Sequence, residues 1–192
     1  MMVTTPIKKT EDIDILKNYF LSKHEYRNYT LFVMGINTAM RISDLLQLTW
    51  NEVYDFGRSQ YREHVCIIEQ KTNKFSCIAL NSNCLEALEL LKYHICPKAE
   101  TEFIFCADKN RMRPISRNRA YHIIKKAAAD NHIEGNISCH SLRKTLGYQA
   151  WKAGNPPALI MNIYNHSNME ITKRYLAIDQ DDRDALFRMI NL

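Results

Sequence analysis

The residues best suited to chemistry are two arginines, a lysine, two histidines and a tyrosine spread along the chain. His140-Ser141-Leu142-Arg143 puts a histidine and an arginine three positions apart, on one face if the segment is helical. His166 follows, and Tyr175 stands nine positions beyond it. Upstream, Arg41 belongs to the run Arg41-Ile42-Ser43-Asp44-Leu45, and Lys71 falls between two apolar runs. Two guanidiniums can grip an oxyanion bidentately and stabilise charge that develops on it. A tyrosine phenol, with an ordinary pKa near ~10, becomes a nucleophile where neighbouring cations favour the phenolate. A histidine is suited to take its proton. Together these groups suit in-line attack on a phosphodiester. Singly, each has a plainer role: Arg41 as a helix-end charge, Lys71 as a solvated loop cation, Tyr175 as one of ten tyrosines partly buried in a core.

The common nucleotide and metal signatures are missing. There is no G-x-x-x-x-G-K-[ST], no G-x-G-x-x-G, no H-E-x-x-H and no EF-hand loop, and only five glycines occur. With 192 residues and 46% hydrophobic content, the chain suits one ordinary globular domain. No apolar run approaches the roughly 18 residues of a membrane span. Met1 to Thr10 is polar and unlike a signal peptide. A cytoplasmic protein with no membrane association is expected. Lysine and arginine number 26 against 21 acidic residues, a net charge of +5, which permits a nucleic-acid partner without demanding one. Asp179, Asp181, Asp182 and Asp184 crowd near the C-terminus, so the rest of the chain is more basic than the total. The six cysteines form no C-x-x-C pair and no zinc spacing. They read as reduced core thiols in a reducing compartment.

The elements that must position these groups are mostly helices. Apolar spacing predicts helices from Thr10 to about Lys23, from Tyr26 to Asn37 and from near Ser43. Val65–Glu69 and Phe75–Leu80 read as two strands joined by the polar stretch Gln70-Lys71-Thr72-Asn73-Lys74, a hairpin signal. Helical spacing returns after Asn81 as far as about His94. It recurs over Ser116–Asn131, Ser141–Lys152, Pro157–Tyr164, Met169–Ala177 and Asp182–Asn191, the last presenting Leu186, Met189 and Ile190 on one face. The fold class expected is mainly α with a small antiparallel sheet.

In order and in setting, these residues resemble the tyrosine recombinase (phage integrase) family. Ala39-Met40-Arg41-Ile42-Ser43-Asp44-Leu45 is similar to that family's G-x-R-x-S-E-L box. Lys71-Thr72-Asn73-Lys74 resembles its K-x-x-K hairpin, and Thr172-Lys173-Arg174-Tyr175 its T-x-x-Y box. The H-x-x-R box and the nine-residue step from His166 to Tyr175 also agree. The sequence departs from the pattern at Asp44, where Glu is usual, and at Ala39 and Asn165, where Gly is usual. Asn tolerates the left-handed backbone better than most residues, so the turn before His166 is expected to survive.

The resemblance implies the catalytic-domain fold of that family over residues 1–192, without the N-terminal DNA-gripping domain, as in compact fimbrial invertases or in an excised catalytic domain. It implies a site-specific recombinase for integration, excision or inversion, with catalytic residues Arg41, Lys71, His140, Arg143, His166 and Tyr175. It further implies a 3′-phosphotyrosine intermediate, Lys71 as the acid for the leaving 5′-oxygen, and no metal or other cofactor. The partners implied are double-stranded DNA, further protomers (four in the recombining complex) and DNA-bending accessory proteins. Arg111, Arg113, Arg117, Arg119 and Lys125, before or within the helix opening near Ser116, are candidate DNA contacts. Three other readings stay open: a DNA-binding relative without catalysis, a type IB topoisomerase-like activity, and a helical protein with no role on DNA.

Overall fold

The computed structural model describes residues 3–108, 111–178 and 180–190. Its elements run α1 (Thr10–Ser22), α2 (Tyr26–Thr38), α3 (Ile42–Leu45), α4 (Trp50–Val53), β1 (Tyr54–Asp55), β2 (Gln60–Tyr61), β3 (His64–Ile68), β4 (Phe75–Ala79), α5 (Ser82–Ile95), α6 (Arg117–Asp130), α7 (Cys139–Lys152), α8 (Pro157–Tyr164), α9 (Met169–Leu176) and α10 (Gln180–Met189). No described helix is long and apolar enough to cross a membrane. Expected and observed helices agree closely. Ser43 and Ser141 nevertheless lie inside helices that begin at Ile42 and Cys139, earlier than the sequence suggested.

Helix α2 is the central post. Leu31 and Met34 enter a core with Leu45, Trp50, Val65, Leu88 and Phe105. Phe32, Val33 and Ile36 enter a second core with Leu16, Phe20, Ile124 and Leu142. Such two-sided burial requires a helix apolar around most of its circumference. Gly35 lets α7 approach: a Cβ there would stand 2.7 Å from Leu142 Cδ1.

The start of α7 is set by a reciprocal cap. Ser138 is the N-cap, its side chain receives the N3 backbone donor, and Ser141 Oγ in turn accepts from Ser138 N at 3.0 Å. The helix therefore begins at Cys139, and His140 and Arg143 occupy its first turns. Toward its other end, Gly147 faces α8 and α9, where Ile160, Tyr164 and Leu176 form a third, smaller core with Ala39.

The strands β3 and β4 pair antiparallel, from His64 opposite Ala79 to Ile68 opposite Phe75. Glu69 N donates to Lys74 O at 2.9 Å, and Asn73 N donates to Glu69 O at 2.8 Å. These bonds close a tight turn around Lys71, with Asn73 left-handed at φ 53°. The register places Cys66 opposite Cys77, where the two form a disulfide with Cα atoms 4.1 Å apart. This corrects the expectation of core thiols for that pair. Strand alternation sends Val65 inward and Cys66 outward. The two-residue pairing of β1 with β2 was also not expected, since so short a strand shows no period. The expected apolar face of the last helix cannot be followed at Leu186, whose side chain lies outside the described residues, as does Asn191.

Replacing Gly147 tests the packing that seats the end of α9. An added Cβ would lie 2.5 Å from Tyr164 Oη and 2.7 Å from Leu176 Cδ2. The tyrosine cannot swing away freely, because its hydroxyl donates to Arg143 O at 2.6 Å. Overpacking costs about 1–3 kcal/mol, more than the ~1 kcal/mol that Ala gains over Gly in a helix. Gly147→Ala is expected to lower the midpoint of chemical unfolding; a midpoint unchanged or raised would contradict this packing.

Candidate active site

Arg41 is the N-cap of α3, held in extended geometry just after the left-handed C-cap Ala39 ends α2. Its Nη1 lies 2.6 Å from Glu69 Oε2. The contact is an ion pair but off-axis, and this buried nitrogen has no aligned hydrogen bond among the described residues. Arg143, 6% exposed, donates to Ala39 O and lies over the Tyr164 ring at 5.0 Å. One left-handed residue thus serves both arginines: it turns the chain into Arg41 and offers its carbonyl to Arg143.

Tyr175 is in the last turn of α9. Its ring meets His140 at 5.1 Å, His166 at 5.0 Å and Tyr164 at 4.9 Å between centroids. Its hydroxyl is buried with no aligned hydrogen bond among the described residues, and the Arg143 guanidinium is its polar neighbour. Burial pushes the phenol pKa up, and the nearby Arg143 and Arg41 guanidiniums pull against that rise. His166 follows Asn165, the left-handed C-cap of α8 at φ 56° and ψ 39°, so the Asn does make the turn expected of it. His166 Nδ1 shares a hydrogen bond of 3.0 Å with Thr172 Oγ1, which fixes the ring plane.

Lys71 is exposed at the hairpin tip. With Arg41, Arg117, Cys139 and His140 it lines an open cleft of about 410 Å³. His140 is pushed down to a pKa of about 4, first by desolvation and then by the cations Lys144, Arg143, Lys71 and Arg41. Its place at the positive end of α7 acts in the same sense. The six expected site residues therefore gather from five separate stretches of chain.

Of the further basic candidates, only Arg117 lines this cleft. Arg111 is occupied elsewhere, donating to Ile95 O, to Cys96 O at 3.1 Å and to Glu102 at 3.0 Å. Arg113 pairs with Asp108 at 2.8 Å. Lys125 Nζ donates to Asn136 Oδ1 at 2.8 Å. Arg119 is exposed on α6, and its charge is felt at Arg27.

Three side chains at the site escaped sequence reasoning or were underrated by it. Glu69 is buried against Arg41 and accepts from Thr72 Oγ1 at 2.5 Å. Asp44 Oδ1 accepts from Gln70 N at 3.1 Å, so the shortened carboxylate does brace the hairpin. Lys144 is buried, donates to Thr4 O at 2.6 Å and lies 5.1 Å from the Tyr175 ring centroid. Its one sequence signal was adjacency to Arg143.

The scaffold is that of the catalytic region of tyrosine recombinases. The structure aligns with XerA recombinase at a TM-score of 0.74 and 16% identity, covering 96% of this chain and 63% of that one. It aligns with XerH site-specific recombinase bound to palindromic difH substrate at a TM-score of 0.71 and 16% identity, covering 95% of this chain and 52% of that one. The sequence matches the phage integrase family over residues 8–182. It is 38% identical over 191 residues to the probable integrase/recombinase YoeC of Bacillus subtilis (strain 168), covering 98% of each chain. It is also 28% identical over 170 residues to the type 1 fimbriae regulatory protein FimE of Escherichia coli (strain K12), covering 86% of this chain and 82% of that one. The chain belongs to the phage integrase family of tyrosine recombinases.

The depressed His140 pKa carries a stability consequence. Between pH 6.5 and about 4, the unfolded chain binds a proton at this histidine that the folded chain does not. Stability is therefore lost as pH falls through that window. His140 keeps a solvent-exposed edge, so after discounting for solvent screening its share is about 1 kcal/mol. In an NMR titration the His140 imidazole is expected to stay neutral down to near pH 4, and His140→Gln to flatten part of the acid-side loss. A titration at the ordinary 6.5 would sink this account of the site's field.

Proposed function

We propose that this protein is a site-specific DNA recombinase that cleaves and rejoins double-stranded DNA through a 3′-phosphotyrosyl intermediate on Tyr175. The observation that carries the reading is the Tyr175 hydroxyl: buried, with no aligned hydrogen bond among the described residues, and within the field of two arginines, Arg143 the nearer influence. A buried polar group left unsatisfied costs roughly 1–3 kcal/mol, and an incoming phosphate would offer the Tyr175 hydroxyl an acceptor.

In this reading a scissile phosphate enters the cleft with its nonbridging oxygens between Arg41 and Arg143. Neutral His140 accepts the phenol proton, and Tyr175 Oη attacks in line. The Oη–phosphorus bond forms, the bond from phosphorus to the 5′-oxygen breaks, and Lys71 protonates that oxygen. His166, its Nδ1 engaged by Thr172, offers Nε2 to the phosphate. The phosphotyrosyl bond conserves the energy of the broken one, so a 5′-hydroxyl from another strand can reverse the attack. No residue role here calls for a metal or other cofactor. Exchange between two duplexes implies paired protomers on DNA, four in the complete complex, with DNA-bending proteins as further possible partners, and a cytoplasmic setting. Arg117, beside Arg41 and Lys71, is assigned to a neighbouring backbone phosphate.

The test is covalent capture. With DNA flanking its own gene, and chelator present throughout, the protein is expected to give a DNA-bearing band that survives a denaturing gel. Tyr175→Phe abolishes the band while DNA binding stays within a few-fold. Arg41→Ala slows its formation by about 10²–10³-fold, the usual cost of losing one oxyanion donor. A band that persists in Tyr175→Phe would assign the attack to another residue. Salt-dependent binding with no band from the parent would favour a non-catalytic DNA-binding role. Arg117→Ala is expected to weaken binding evenly across sequences and to lower the salt slope by about 1; an unchanged slope would remove Arg117 from the contact surface.

A further inference from the structure

Glu69 is an unexpected residue for a phosphate site. It is a carboxylate, 6% exposed, placed against an arginine whose proposed work is to hold an anion. Burial pushes its pKa up, but the Thr72 hydroxyl and the Arg41 guanidinium outweigh burial and leave it below the usual carboxylate range. It is therefore ionised at neutral pH and repels DNA. A binding site gains affinity by omitting such a group, so its presence points to a different gain.

The contacts indicate what that gain is. One oxygen, Oε2, lies 2.6 Å from Arg41 Nη1 and accepts from Thr72 Oγ1 at 2.5 Å. Thr72 is the neighbour of Lys71. The Glu69 backbone closes the same turn, accepting from Asn73 N at 2.8 Å and donating to Lys74 O at 2.9 Å. On the other side of Lys71, Gln70 N is held by Asp44 Oδ1 at 3.1 Å. Lys71 itself is exposed at the tip. The backbone carrying it is thus tied on both flanks to carboxylates, and one of these carboxylates also orients Arg41.

We propose that Glu69 is a positioning residue for strand cleavage, joining Arg41 and the Lys71 turn through a single carboxylate oxygen so that the phosphate clamp and the leaving-group acid keep a fixed separation. The proposal rests on the function proposed above, in which Arg41 grips the phosphate and Lys71 protonates the 5′-oxygen. Glu69 touches neither. It restrains the guanidinium through Nη1, and it holds the Thr72 end of the turn. Positional errors of about 1 Å in such a pair cost on the order of 10²-fold in rate, which exceeds the affinity lost to one nearby negative charge.

This separates binding from chemistry. Glu69→Gln is nearly isosteric and keeps an oxygen for Thr72, but it removes the negative charge beside Arg41. DNA is expected to bind Glu69→Gln as tightly as the parent or several-fold more tightly, while single-turnover formation of the covalent complex slows about 10-fold or more. A residue needed only for folding would weaken both. Thr72→Val cuts the tie to the turn and leaves the Arg41 ion pair. Its defect is expected to lie in general acid catalysis, a contribution of about 10²–10⁴-fold when wholly lost.

The decisive substrate carries sulfur in place of the scissile 5′-bridging oxygen. A thiolate leaves without a proton, so a defect that acts through Lys71 disappears on this substrate. Covalent complex formation would be timed on the oxygen and sulfur substrates with the parent, Lys71→Ala, Thr72→Val and Glu69→Gln proteins. Support is rescue of Lys71→Ala and Thr72→Val to within about 2-fold of the parent on sulfur, with Glu69→Gln partly rescued and retaining the part that acts through Arg41. Equal defects of Thr72→Val and Glu69→Gln on both substrates, with Lys71→Ala rescued, would overturn the coupling and leave the proposed function standing. Failure to rescue Lys71→Ala would overturn the acid assignment and the coupling together. Absence of a covalent complex from the parent would overturn the proposed function itself.

Discussion

Arg143 carries a permanent charge at 6% exposure, and much of the structure follows from keeping that charge both solvated by protein and available. A guanidinium cannot discharge itself by losing a proton as a buried lysine can. Its burial must be offset by acceptors already in place. Ala39 O provides one, and the Tyr164 ring face provides a second, softer one. Both are fixed by the helices that meet α7. Ala39 is where α2 stops, and Tyr164 is where α8 stops with its hydroxyl on the Arg143 carbonyl. The close approaches at Gly35 and Gly147 are what bring those helix ends within reach.

The same constraint shapes the electrostatics around Tyr175. Burial alone would keep its phenol protonated, and the arginines alone would attract any passing anion. Together they create a site whose groups pull against one another: the phenol pKa is raised and the His140 pKa is lowered. A phosphate diester changes the balance. In the proposed reaction its negative charge would cancel part of the field that depresses His140, making the imidazole a better base as the proton leaves the phenol.

How much of this could be read from the sequence depended on the range of the interactions. The helices were legible because their apolar spacing is local, and α8 and α9 came through with nearly their true ends. The start of α7 was placed at Ser141, because the capping role of Ser138 depends on a reciprocal bond with Ser141 that either serine alone does not announce. The six candidate site residues stand out through their order along the chain, which needs no geometry. Glu69 was missed for the opposite reason: beside a hairpin lysine, an acid reads as solvated until the fold turns it toward Arg41. Arg111 was offered as a DNA contact, yet the loop after α5 folds it onto Ile95 O, Cys96 O and Glu102. The Cys66–Cys77 pairing required the strand register, and register is a property of two strands together.

The hairpin carries exposed Lys71 on a turn held beside the two arginines. Arg41 and Arg143 are anchored to helices whose cores are fully buried, so their separation is set by packing. Lys71 is carried by two five-residue strands that bury Val65 and leave Ile68 and Phe75 exposed. Packing alone would hold such a ribbon loosely. Its tip is instead fixed by directional contacts: Asp44 on Gln70, Glu69 on Thr72, and the Glu69 backbone on Asn73 and Lys74. Hydrogen bonds to ionised acceptors are stronger and more geometrically selective than apolar contact, yet they can exchange for others when a new anion enters. A tip held in this way can be well placed in the free protein and still yield to the DNA.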